Sequence, residues 1–385
     1  MDLKPVGLYF DHMGWQSIAH FGLGDVFHKI FSAKEIGSKY YYPVFFHTET
    51  DNTVTQPIPK SIIDSIKTNN CSILVVHPME GFEWNTYDQF IDEICNIYGL
   101  SYDNFVALTC NPVPSNKYKS VFYNFWEFSS FGDNIIKEQH LGKLNIFKED
   151  HRPYKFICLN RICHPHRWAT VTALYPYKDR GLLSFANKDY PGYTPRNRSF
   201  ITFNKEYPFY SKKFNSLNLP EDFKLTLPLH YEDPINEALL KPVIIDSYAN
   251  KFYHSYLHIV CETFISHPFF TEKTYKPIKY FQPFVMINGQ YSLQHFRDMG
   301  YQTFGGYIDE SYDIEYDKER RIEMAIQAGL DFISKPNLHE VMKEMYPIFE
   351  HNHNVFIKRC RNFQNLLHSN ISNILYAQDN NANQN

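Results

Sequence analysis

Apolar runs of strand length alternate with helix-period stretches along this chain, and that rhythm constrains the fold more than any other feature. Val6 to Phe10, Tyr42 to Phe46, Ser72 to Val76 (SILVV) and Phe105 to Leu108 read as strands. Asp25 to Phe31, Ile62 to Lys67 and Tyr87 to Tyr98 read as helices, the last with Phe90, Ile91, Ile94 and Ile97 at helical spacing. Such alternation implies βαβ units and parallel sheets. The polar stretch Lys148 to Pro153 interrupts it and is the expected domain boundary. The rhythm then restarts with a strand at Lys155 to Leu159 and a helix at Pro165 to Tyr175, proline in its first turn. From His258 the pattern is strand to Glu262, helix Thr271 to Phe281, strand Phe284 to Ile287, helix Ser292 to Met299 and helix Lys318 to Ile333. A long helical pattern follows from Leu338 to about Leu375.

The chain has 385 residues, enough for two domains. The expected fold is α/β, with two Rossmann-like domains facing a cleft and a long C-terminal helix. The domains span 1–150 and 151–345, the second carrying an irregular insertion at 189–242 rich in Pro, Tyr, Asn and Lys. The helix covers 346–376, and the low-complexity tail 377–385 is expected to be disordered. Ligands of open parallel sheets bind beyond the carboxyl ends of the strands, so polar residues that follow strands are the candidates.

Several classes are set aside by what the sequence lacks. A net charge of -4 argues against a strongly basic DNA-coating protein. GxGxxG, Walker A and GxSxG patterns are missing, so dehydrogenase, P-loop and α/β-hydrolase readings find no support. The seven cysteines are irregularly spaced without CxxC, which points to a reducing compartment. The start MDLKPVGLYFDHMG lacks a signal-peptide pattern, and no uninterrupted apolar run suits a membrane span. The expected location is the cytoplasm. Cys163-His164-Pro165-His166 has no second Cys/His group at zinc spacing, so no metal is expected.

The segment HIVCETFISHPFFTEKTYKPIKYFQPFVMINGQ, residues 258–290, carries the chemistry. A strand ends at Glu262, and Thr271 is suited to N-cap the helix that opens with Glu272 and Lys273. Free N–H groups at a helix start can hold an anion, Lys273 adds charge, and Glu272 can accept from sugar hydroxyls. An amphipathic helix with solvated Glu and Lys fits the same spacing. F-x-T-E-K-x-x-K-P followed by Q-P-F-V-M-I-N-G resembles the donor-site signature of α-1,3-fucosyltransferases. It is still more similar to an uncharacterised set of glycosyltransferase-like proteins from large phages and viruses. These share Leu159-Asn160-Arg161, His166-Arg167, Gly300-Tyr301-Gln302-Thr303-Phe304 and Asp309-Glu310-Ser311-Tyr312-Asp313. The resemblance covers roughly residues 155–330.

It implies a GT-B architecture, a nucleotide-sugar donor in the C-terminal domain and no essential metal or cofactor. It assigns donor hydroxyls to Glu272 and the diphosphate to Lys273 and Arg161, with Arg167 as second choice. Asn160, Glu262, Thr271 and Asn288, at the neighbouring strand ends and helix start, complete the donor-binding candidates. The low glycine content and the 189–242 insertion depart from the family pattern. Two carboxylates compete as the base that deprotonates an acceptor hydroxyl. Asp25, behind Gly22 and Gly24, stands in G-D-V-x-H, which resembles the first loop of bacterial heptosyltransferases. Glu80 follows the SILVV strand, with His77 nearby. The expected function is transfer of a sugar from a nucleoside-diphosphate sugar to a glycan, protein or modified DNA base, inverting and metal-independent. The basic, aromatic stretch 195–213 fits a nucleic-acid groove or a flap over an oligosaccharide. The alternative is a non-catalytic sugar- or nucleic-acid-binding protein.

Overall fold

The computed structural model describes residues 40–45, 58–77, 84–130, 135–148, 151–160, 164–184 and 251–382. The chain divides into two compact units, Met1–Phe128 with Arg359–Asn385, and Ser129–Lys358. The first contains β1 (Tyr40–Phe45), α1 (Lys60–Lys67), β2 (Cys71–His77), α2 (Trp84–Tyr98), β3 (Phe105–Thr109), β4 (Lys119–Phe122) and most of α3 (Phe125–Ser129). The second contains α4 (Ile135–Phe147), β5 (Tyr154–Leu159), α5 (Pro165–Leu174), β6 (Leu182–Ser184), β7 (Ser255–Cys261), α6 (Glu272–Lys279), β8 (Phe284–Ile287), α7 (Ser292–Asp298), α8 (Lys318–Ile333) and α9 (Leu338–Glu344). The last helix, α10 (Tyr346–Ala382), contributes to both units. Among the described residues the protein is α/β with two four-stranded sheets, parallel throughout. None of the described helices is long and apolar enough to cross a membrane.

In the first sheet the order is β1-β2-β3-β4. β2 is almost continuously apolar because a central parallel strand is buried on both faces. Its residues alternate. Ile73 and Val75 meet Ile62, Ile63 and Ile66 of α1 and Phe90, Ile91 and Ile94 of α2. Leu74 and Val76 join Tyr41, Val106 and Leu108 in a second layer, closed by Leu367 and Ile371 of α10. The Tyr41 hydroxyl donates to the Ile371 carbonyl at 3.1 Å.

The second sheet runs β6-β5-β7-β8. After β5 the chain moves outward to β6, then crosses back to place β7 on the other side. The carboxyl ends of β5 and β7 therefore flank a topological switch point, where open parallel sheets bind ligands. Helices cover both faces. Gly329 of α8 sits over Leu257, Ile259 and Val285, where an added Cβ would still find 3.5 Å. The opposite face, with His258, Val260 and Glu262, carries α6.

The structure departs from the sequence reading in several places. The unit boundary follows Phe128, so the polar stretch near residue 150 lies inside the second unit. α4 belongs there because Gly142 lies against the Phe281 ring and His339 Nε2 lies 3.0 Å from the Ile146 carbonyl. The expected C-terminal pattern is two helices, α9 and α10, with the break just before Pro347, a residue tolerated only in a first helical turn. α10 runs to Ala382, so residues 377–382, expected to be disordered, are helical; extending a formed helix is far easier than starting one. The expected strand at 6–10, the helix at 25–31 and the 189–242 insertion lie outside the described residues.

Candidate functional site

Glu262 follows β7 directly and is completely buried. A buried carboxylate persists only when its lone pairs are taken up. Oε1 accepts from the Thr271 N–H at 2.9 Å and the Thr274 hydroxyl at 2.6 Å, and Oε2 accepts from the Thr271 hydroxyl at 2.6 Å. Thr271 also N-caps α6, its Oγ1 accepting from the Lys273 N–H at 3.4 Å. The helix start expected to hold an external anion is thus closed by an internal one. Glu262 and Thr271 form the lock that fixes the T-E-K turn.

What the lock presents is the pair Glu272 and Lys273, with side chains 16% and 19% exposed. Lys273 Nζ donates to Thr271 Oγ1 at 3.0 Å and lies 3.4 Å from Glu272 Oε1. Burial works against ionisation of Glu272, but Lys273 and then Lys276 outweigh it and hold the carboxyl below its ordinary value. Glu272 is therefore an anion at neutral pH, able to accept hydroxyl hydrogen bonds.

Across the switch point, α5 sends two buried side chains to the Glu262 main chain. His166 Nε2 lies 2.7 Å from the Glu262 carbonyl, and Arg167 Nη2 donates to it at 3.3 Å. Burial first, and Arg167 second, push His166 down to about 3. Its ring is neutral, and the carbonyl partner requires the proton on Nε2. Asn160, just past β5, is buried; its Nδ2 donates to Cys158 Sγ at 3.2 Å, and its Oδ1 has no hydrogen-bond partner among the described residues. The switch point thus brings together Asn160, Arg167, Glu262, Thr271, Glu272 and Lys273. Arg161 lies outside the described residues.

Asn288 follows β8, but its amide is fully used inside the protein. Oδ1 accepts from Phe269 N at 3.1 Å and Gly289 N at 2.7 Å; Nδ2 donates to the Phe269 carbonyl at 2.7 Å and lies 3.4 Å from Met286 Sδ. It braces the loop leading into α6. Arg321, absent from the sequence reading, shares this work. Its guanidinium donates to the carbonyls of Asn288 at 3.1 Å, Ile265 at 2.8 Å and Glu315 at 2.8 Å. A buried arginine after a D-K-E helix start offers no periodic signal that would have revealed this. The acidic loop is also structural. Asp313 caps α7 through Leu293 N at 2.8 Å and Gln294 N at 3.1 Å, while Glu310 accepts from Thr303 Oγ1 at 2.9 Å and the Phe304 N–H at 2.6 Å. Among the described residues no cluster of three or more His, Cys, Asp or Glu is arranged to hold a metal ion.

In the first unit, the carboxyl ends of β2 and β3 are joined by a buried chain. His77 Nδ1 lies 2.8 Å from the Tyr87 hydroxyl, which lies 2.7 Å from Thr109 Oγ1. A cavity of about 560 Å³ opens beyond β4, with Tyr123, Asn124, Phe128, Phe363, Asn370 and Asn373 among its lining. The Phe128 and Phe363 ring centroids lie 3.9 Å apart with the rings tilted by 33°, and Arg359 holds Glu127 with both carboxylate oxygens engaged. Both base candidates, Asp25 and Glu80, lie outside the described residues.

No protein-family model, no curated protein and no solved structure matches this chain.

Proposed function

We propose that this chain is a glycosyltransferase of GT-B type that takes its sugar from a nucleoside-diphosphate sugar. The observation that carries the reading is the presentation of Glu272 and Lys273 at the switch point, backed by the buried lock of Glu262, Thr271 and Thr274. One carboxylate and one ammonium on a rigid turn suit a ligand that is both hydroxylated and anionic. The 2-1-3-4 order of the second sheet supports a nucleotide site at this end.

In the proposed reaction the acceptor oxygen bonds to the anomeric carbon as the bond from that carbon to the diphosphate oxygen breaks. The acceptor proton passes to a carboxylate, Asp25 or Glu80, and the electron pair leaves on the diphosphate. Lys273, with Arg161 and Arg167 as further cations, stabilises that charge, so the reaction needs no metal. The first unit has a cavity of about 560 Å³ of its own. Phenyl rings and asparagine amides in its lining suit a ring-bearing, hydroxylated ligand.

The test is transfer by Asp25→Asn and Glu80→Gln, with donor affinity measured in parallel and EDTA present throughout. The base variant should lose about 10²–10⁴-fold in turnover and keep its donor affinity. Binding of a sugar nucleotide without any turnover by the unaltered protein would replace the enzyme with a non-catalytic binding protein. A strict divalent-metal requirement would contradict the metal-free leaving-group scheme.

A further inference from the structure

Lys276 lies four residues after Glu272 and three after Lys273, so it shares their side of α6. It is 7% exposed. A lysine is almost never this buried unless its ammonium is paired. Yet among the described residues its ammonium makes no hydrogen bond and no ion pair within 4.0 Å, and Glu272 and Glu262 act on it only from farther away. The nearby carboxylates are already committed, Glu262 to Thr271 and Thr274, and Glu272 to Lys273 at 3.4 Å.

Helical side chains lean toward the N-terminus, so the Lys276 stem points back one turn toward Glu272. Its charge accordingly acts on Glu272 and Glu262, with Lys273 and Lys279 as repelling neighbours and His258 below it on β7. Among the described residues around the start of α6, the cations Arg167, Lys273 and Lys276 outnumber the carboxylates Glu262 and Glu272. Glu272 and Glu262 offset the Lys276 charge only in part, and an entering anion would complete its pairing.

We infer that the Lys276 ammonium is a second anion ligand of this site, holding a phosphate group of the nucleoside diphosphate beside Lys273. The inference rests on the reading proposed above and gives a role to Lys276, the second lysine of the T-E-K-x-x-K-P segment.

Inorganic pyrophosphate is the probe, titrated calorimetrically into the full chain and into Lys276→Met, Lys276→Arg and Lys273→Ala. Lys276→Met should bind at least tenfold more weakly, and Lys276→Arg within about threefold of the unaltered protein. Unchanged affinity in Lys276→Met, with weakened affinity in Lys273→Ala, would overturn the role of Lys276 and leave the site standing. Failure of the unaltered chain to bind pyrophosphate or any nucleoside diphosphate would overturn both. Reductive methylation of the unaltered protein, mapped by mass spectrometry, gives a readout that does not depend on a variant folding. Pyrophosphate should protect Lys276 several-fold, and equal labelling with and without it would count against the inference.

Discussion

Glu262 and Thr271 are joined twice, through the Thr271 N–H to Oε1 at 2.9 Å and the Thr271 hydroxyl to Oε2 at 2.6 Å. This pair ties the end of β7 to the start of α6 and leaves the carboxylate inaccessible. Glu262→Ala would orphan the Thr271 amide, two hydroxyls and the neighbouring cations. A loss of about 3 kcal/mol or more is expected in urea unfolding. A loss below about 1 kcal/mol would show that the lock contributes little.

Gly289 is placed by close approach rather than by its backbone angles. A Cβ there would come within 2.1 Å of the His267 carbonyl carbon and 2.5 Å of Pro268 N, both main-chain atoms. Gly289→Ala must therefore displace the loop that Asn288 braces, at a cost of about 1–3 kcal/mol. It should also weaken donor binding, because that loop leads into Thr271. Unaltered stability and binding would mean that the loop tolerates the shift.

The fold was legible where apolar runs were long. SILVV became β2 and 318–333 became α8, because burial on both faces, or along one helical stripe, leaves a periodic trace. β4 and β6 left none. They have four and three residues, and Lys119 and Ser120 at the sheet edge need not be apolar. The placement of T-E-K at a strand-to-helix turn was also legible. Its internal chemistry was not, since nothing in the spacing indicates that Glu262 turns inward to Thr271 while Glu272 stays reachable. Asn288 reads as a strand-end ligand until its four contacts are seen. Arg321 acts through main-chain carbonyls that come together only in the folded chain.

His166 and His258 are buried, and burial pushes both imidazoles down to about 3. An unfolded histidine titrates near 6.5. As pH falls through 6.5 the unfolded chain takes up these protons while the native chain does not. Their contribution is complete above 6.5 and is lost progressively toward 3, by about 1.4 kcal/mol per pH unit for each histidine. His166→Gln, which keeps a donor for the Glu262 carbonyl, should flatten the acid limb measured by urea unfolding at pH 7, 5 and 4. Parallel curves for variant and unaltered protein would exclude His166 as a source of acid sensitivity.

Glu272 and Lys273 should separate in binding experiments. Lys273→Ala should weaken a nucleoside diphosphate and its sugar conjugate alike, by about tenfold or 1.4 kcal/mol. Glu272→Ala should weaken only the sugar conjugate, because its proposed partners are sugar hydroxyls. Calorimetric titration of both ligands decides this, and equal losses in Glu272→Ala would remove the sugar from that side of the turn.

The most direct measurement is release of nucleoside diphosphate from a panel of sugar nucleotides, run with the unaltered chain and with Lys273→Ala in the presence of EDTA. The expected result is turnover of at least one member of the panel, falling at least tenfold in Lys273→Ala. If no sugar nucleotide is bound or turned over by the unaltered chain, the glycosyltransferase reading is contradicted.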